Sequence, residues 1–186
     1  MASYSLGNYE QSINYAGKVL GAAPNSLIAT KILAGSYLKT GNVKEALRTL
    51  DSTLAKHPED AGLLAMAGDA HLQAGDYNKA LGYLDKAAGL EPENAIIRTR
   101  QAAVHLATGD SSEALANLEA AASLSDKPGQ ADLALVMLHL RNKEYDKALQ
   151  AIASLEKKLP NNPVTHNLRA AALLGKKDRA GAQFEE

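Results

Sequence analysis

The chain has 186 residues, 46% of them apolar but only 4% aromatic, no cysteine, and a formal charge of −1. That length suits one ordinary domain with a sizeable core, and a core rich in Ala and Leu but poor in aromatics favours packed helices over sheets. The near-neutral charge gives no concentrated positive face for nucleic acid, the lack of cysteine removes disulfides, thiol catalysis and Cys-ligated metal, and no apolar run approaches the ~20 residues of a membrane span.

Along the chain a 34-residue spacing appears at once. Glycine recurs at Gly7, Gly41, Gly75 and Gly109, and alanine at Ala46, Ala80, Ala114, Ala148 and Ala182. Proline recurs at Pro24, Pro58, Pro92 and Pro160, and histidine at His71, His105 and His139. Such self-similarity marks a repeat architecture. The chain parses as a single array over 1–186, with a partial unit 1–26, full units 27–60, 61–94, 95–128 and 129–162, and a shortened unit 163–186.

The first residues, MASYSLGNYE, lack the basic and apolar regions of a signal peptide, and the partial unit is expected to start midway through a first helix. In unit 27–60, Asn42 with Glu45 has capping-box spacing. Unit 61–94 shows the pattern in full. AGLLAMAGDAHLQA carries an apolar helical stripe that Gly75 ends, glycine being the usual residue just past a helix. Asp76 is then expected to cap a second helix, YNKALGYLDKAAGL, which stops before Glu91-Pro92 because a residue preceding proline is driven out of the helical region. Small residues such as Ala80 and Ala114 let the two helices approach closely. Asp110 with Glu113 repeats the capping spacing in unit 95–128. In the last two units Lys143 and Lys177 replace the turn glycine and Val136 a small residue, so looser or differently angled turns are expected there. The final unit is expected to stop midway through its second helix. Ends without polar capping helices suggest a segment of a longer array that self-associates by swapping or end-to-end stacking.

These residues resemble the tetratricopeptide repeat (TPR): Ala67-Gly68, His71, Ala80, Leu84, Ala87 and Pro92 fill the signature positions of one unit. The usual early tryptophan is replaced by Thr30, Leu64, Arg98, Asp132 and His166. The resemblance implies an all-α, right-handed superhelical solenoid of antiparallel helix pairs whose first helices line a concave groove. Residues 131–182 also resemble, in overall texture, the repeat lipoproteins that accompany bacterial exosortase and exopolysaccharide systems. That narrower resemblance implies a periplasmic or membrane-anchored protein; without it the expectation is cytoplasmic.

The histidines invite a catalytic or metal reading, but repeat-equivalent side chains stand about 8–10 Å apart, too far to share one ion. None has a serine, cysteine or acid placed for nucleophilic catalysis. They are expected to pack, bonding a neighbour's backbone or side chain, and no catalytic residue, metal or cofactor is assigned. A carboxylate clamp of the kind some TPR proteins possess is also rejected. Lys31 and Arg100 match two of its five positions, whereas Gly35, Met66 and Ile96 do not. The charged tracts Glu156-Lys157-Lys158 and Lys176-Lys177-Asp178-Arg179 read as solvated helix ends.

The groove that the resemblance implies would present Ile28, Lys31, Gly35 and Leu38, then Ala65, Asp69 and Leu72, then Ile96, Thr99, Ala103 and Leu106, then Leu133, Met137, Leu140 and Arg141. Within it Leu38, Leu72, Leu106, Leu140 and Leu174 form a ladder, which either receives a ligand or packs adjacent first helices. The function expected is a non-catalytic scaffold that binds a protein, as a peptide or helix, and neither nucleic acid nor membrane. A spacer segment within a larger envelope assembly protein is the alternative.

Overall fold

The computed structural model describes Tyr4 and residues 6–183, with side chains as far as Lys177. The side chains of Asp178, Arg179 and Ala182 therefore lie outside the described residues, as do residues 1–3 and 5 of the expected first helix. Among the described residues there are ten helices and no strand. The chain forms two compact units that meet in sequence at Glu93 and Asn94.

The first unit contains α1 (Tyr9–Ala22), α2 (Leu27–Lys39), α3 (Val43–Leu54), α4 (Ala61–Gln73) and α5 (Tyr77–Leu90). Each helix packs on the next, and α2 also packs on α4. The second unit contains α6 (Ala95–Thr108), α7 (Ser111–Ser123), α8 (Gln130–Arg141), α9 (Tyr145–Lys158) and α10 (Pro163–Gln183). It follows the same scheme, with α6 packing on both α7 and α8.

The turns inside the helix pairs share one construction. Gly41, Gly75 and Gly109 have φ of 76°, 80° and 85°, a left-handed backbone that glycine adopts without a Cβ clash. The residue after each, Asn42, Asp76 or Asp110, donates its backbone N–H to the carbonyl of Tyr37, His71 or His105 at 2.8 Å. Lys143 takes the same conformation at φ 58°, and Glu144 N–H reaches the His139 carbonyl at 2.9 Å. The turn that replaced its glycine is therefore of the ordinary kind. At Lys177 there is no turn, because α10 runs on unbroken to Gln183.

Helix starts follow their capping residues in part. Ser26, Asp60, Asn94 and Asp110 accept first-turn N–H groups through their side chains. The expected side-chain caps at Asn42 and Asp76 do not form. Asn42 donates its amide to Thr40 Oγ1, and the Asp76 carboxylate turns back to His71.

Close helix approach explains the alanines. Ala46, Ala80, Ala114 and Ala148 are fully buried, each four residues before a buried Leu50, Leu84, Leu118 or Ile152. The tightest contact is at Gly68, where an added Cβ would meet Leu84 Cγ at 2.6 Å. In the second unit, Lys158 Nζ donates to Asp132 Oδ1 and to the Ala122 carbonyl, both at 2.7 Å. Gly129 N–H donates to the other Asp132 oxygen at 2.8 Å, so this largely buried ion pair ties the end of α7 to α8 and α9.

Candidate protein-binding surface

Positions 2, 5, 9 and 12 of each unit fall on one stripe of a first helix, since steps of three and four residues return to the same face. In the first unit this stripe is mostly filled. Gly35 and Ala65 are buried, and Leu38, Asp69 and Leu72 are half-buried. Lys31 is committed to Asp60, with Nζ 2.8 Å from Oδ1 and 2.9 Å from Oδ2. Only Ile28 stands out, 60% exposed.

The second unit differs. Ile96 on α6 is 63% exposed, Met137 on α8 57%, and Leu133 lies one turn before it on the same stripe. Leu174 on α10 and Arg141 at the end of α8 are exposed as well. Thr99 is half-buried and donates its hydroxyl to the Ala95 carbonyl at 2.7 Å.

The leucine ladder does not follow this division, since Leu38, Leu72, Leu106 and Leu140 are all half-buried and only Leu174 is exposed. Leu106 packs against the cluster of Ala102, Ala114, Leu118, Ala121, Ala131 and Leu138. Leu140 packs against Val136, Ala148, Ile152 and Ala172. The exposed apolar atoms therefore belong to Ile96, Leu133, Met137 and Leu174 rather than to the ladder's middle rungs.

The histidines have partners that spacing alone did not reveal. Nδ1 of His139 lies 2.8 Å from Glu144 Oε2, that of His71 3.4 Å from Asp76 Oδ2, and that of His105 3.9 Å from Asp110 Oδ2. An acid thus stands beside each, as the side-chain partner of a packing histidine, and the pairs brace the turns. His71 also stacks on Tyr83, with ring centroids 5.3 Å apart. The signal was present as an acid at a constant offset of five residues. Hydrogen bonds from Lys147 and then His139 hold the Glu144 carboxyl below its ordinary range. Asp110 is held low first by the backbone N–H of Glu113. Among the described residues no group of three His, Asp or Glu could hold a metal ion, and no helix is long and apolar enough to cross a membrane.

A second surface escaped the sequence reading. A groove of about 310 Å³ runs between α1 and α2, lined by Ser12, Tyr15, Ala16, Val19, Ile28 and Ile32 among others. Its sequence signal was a break in the repeat: Ala16 stands where Leu50, Leu84 and Leu118 stand in later units.

Models of the tetratricopeptide repeat match residues 2–61, 33–95, 71–121 and 105–172. No curated protein matches the chain. Among solved structures, a thermophilic TPR protein of Thermus thermophilus is 26% identical, with a TM-score of 0.77 over 92% of this chain and 93% of its own. A TPR protein of Parabacteroides merdae is 16% identical, with a TM-score of 0.68 over 98% and 72%. MamA of Desulfovibrio magneticus is 14% identical, with a TM-score of 0.69 over 87% and 92%. The last two show the fold alone. TPR folds are typical of non-catalytic scaffolds that bind other proteins. With repeat models matching nearly its whole length, the chain belongs to the tetratricopeptide repeat family.

Proposed function

We propose that the chain is a non-catalytic scaffold, one continuous repeat array, that holds an apolar segment of another protein on the first-helix stripe of its second unit. The observation that carries this is the exposure of Met137, midway along α8, at a position where the first unit has the buried Gly35. With Leu133 beside it, Ile96 on the adjoining first helix and the Arg141 cation at the rim, the surface suits an amphipathic helix with acidic residues beside its apolar stripe. The resemblance over 131–182 is the sole support for placing such a scaffold beside bacterial exopolysaccharide or protein-sorting machinery. Self-association through the terminal helices is part of the same proposal.

A panel of amphipathic helical peptides, titrated by calorimetry, tests the site. Met137→Glu is expected to remove binding while leaving the melting curve unchanged. Leu106→Glu is expected to lower the Tm, since its side chain packs on the core. Equal peptide binding by wild type and Met137→Glu would sink the reading, and no binding by either would favour a spacer.

A further inference from the structure

The α1–α2 groove belongs to the first unit. Its rim residues Tyr15, Val19 and Ile28 are 55%, 48% and 60% exposed. In the repeat register Val19 corresponds to Thr53, which is half-buried, and to Ala87, Ala121 and Leu155, which are at most 2% exposed. First helices also pack on the first helix that follows, as α2 does on α4 and α6 on α8. A groove walled by α1, a second helix, and α2, the next first helix, therefore has the two contacts that a first helix makes elsewhere in the chain.

The other end of the chain presents the converse. α10 packs on α9, but the positions by which other first helices meet their own second helix are bare. Leu173 is 51% exposed, where His71 and His139 are 7% and 3% and Tyr37 and His105 are half-buried. Ala170 is exposed, where Ala34, Ala102 and Val136 are fully buried.

We propose that α10 of a second copy docks into the α1–α2 groove and completes a helical hairpin in trans. The proposal rests on the self-association reading and names its surfaces. The contact continues, between copies, the interface that already joins each first helix to its own second helix and to the following first helix. In register, Ala170 comes over Ser12 and Ala16, Leu173 beside Tyr15, and His166 near Val19. Lys177 then approaches Glu10 in the first turn of α1, bringing opposite charges together. Leu174 takes the place of Tyr4, whose ring packs edge-on against Tyr9 at 5.5 Å and whose phenol lies against Gly35. The incoming Leu174 and the chain's own Tyr4 thus compete for one seat. The contact is heterologous, so each copy has one groove and one docking helix.

Sedimentation of the full chain across a concentration series tests this. Wild type is expected to grow in mass with concentration. Val19→Glu and Leu173→Glu, each with an unchanged melting curve, are expected to stay monomeric, and Ile28→Lys on the opposite wall serves if Val19→Glu melts early. An equimolar mixture of Val19→Glu and Leu173→Glu is expected to form a dimer and nothing larger, because one intact groove and one intact α10 face remain. Tyr4→Ala is expected to assemble at lower concentration than wild type. A wild type monomeric throughout the series, a Leu173→Glu chain that assembles like wild type, or a mixture without dimer overturns the proposal. Peptide titration of the Leu173→Glu monomer reads the first-helix stripe of the second unit separately, so the two readings fail independently.

Discussion

At Gly68 a single hydrogen atom decides whether two helices can touch. An added methyl would lie 2.6 Å from Leu84 Cγ, with the Ala80 carbonyl at 3.3 Å behind it. Gly68→Ala is therefore expected to cost about 1–3 kcal/mol, the usual range for overpacking a close contact. Gly17 and Gly82 also lie inside helices, but an added methyl there meets nothing within 4 Å. Gly17→Ala and Gly82→Ala are each expected to add about 0.5–1 kcal/mol, from reduced unfolded-state freedom and better helix propensity. Urea melts of the three variants check the opposite signs, and a Gly68→Ala chain as stable as wild type would contradict the packing account. The repeat pattern already marked Gly68 as a position for a small residue. It could not say where the Asp76 carboxylate would point. Helix-start chemistry favoured the first-turn N–H groups, but His71 offers a partner across the same turn, and Lys79 stands 3.8 Å from the same oxygen. Periodicity reports how buried a position is, whereas the choice between two nearby partners depends on side-chain direction.

Individual helices are joined by polar links whose strength depends on pH. Asp60 caps α4 through the Leu63 N–H at 2.8 Å and holds Lys31 of α2. Burial pushes its carboxyl up, but the hydrogen bonds from Lys31 and Leu63 outweigh this and leave it below its ordinary value. Glu156 on α9 is held low by the hydrogen bond from Arg169 on α10. A carboxyl depressed in the folded state stabilises it above the unfolded pKa of about 4, and that contribution fades as pH falls through the lower folded value. The Tm is therefore expected to hold steady above about pH 5 and to drop below about pH 4. Asp60→Asn is expected to lower the neutral-pH Tm and flatten the acid limb, which melts followed by circular dichroism over a pH series would show. Helix boundaries set by Gly75 and Pro92 were readable from the sequence, but the fates of Lys143 and Lys177 were not. Both replace a turn glycine. At Lys143 the left-handed turn is enforced from outside, because a straight helix would pull Ala148 and Ile152 away from Val136 in their shared core. At Lys177 α10 continues unbroken to Gln183.

Over the molecule as a whole, the 34-residue rhythm dictated an all-α repeat fold, and the residue types within it located the buried seams. Where apolar surface stays exposed was less legible. The leucine at position 12 of every unit suggested a ladder of equals, yet Leu106 and Leu140 lean on core clusters while Leu174 is 63% exposed. Equal spacing cannot reveal that difference, because it depends on which neighbouring helices cover each rung. The helix packing within each unit has a further consequence, in time rather than in space. A helix meets the next one along, or the next but one, so substantial packing within a unit links only segments close in sequence. Loops that close over short stretches lose little entropy, and helical chains of such low contact order fold in microseconds to milliseconds. Stopped-flow refolding from urea is expected to be largely complete within about 10 ms. A dominant phase lasting seconds would mean that distant parts of the chain must find each other first. If the fast phase is found, any helical pair can serve as the starting point, and a lesion at one end would fray that end before it delayed the rest.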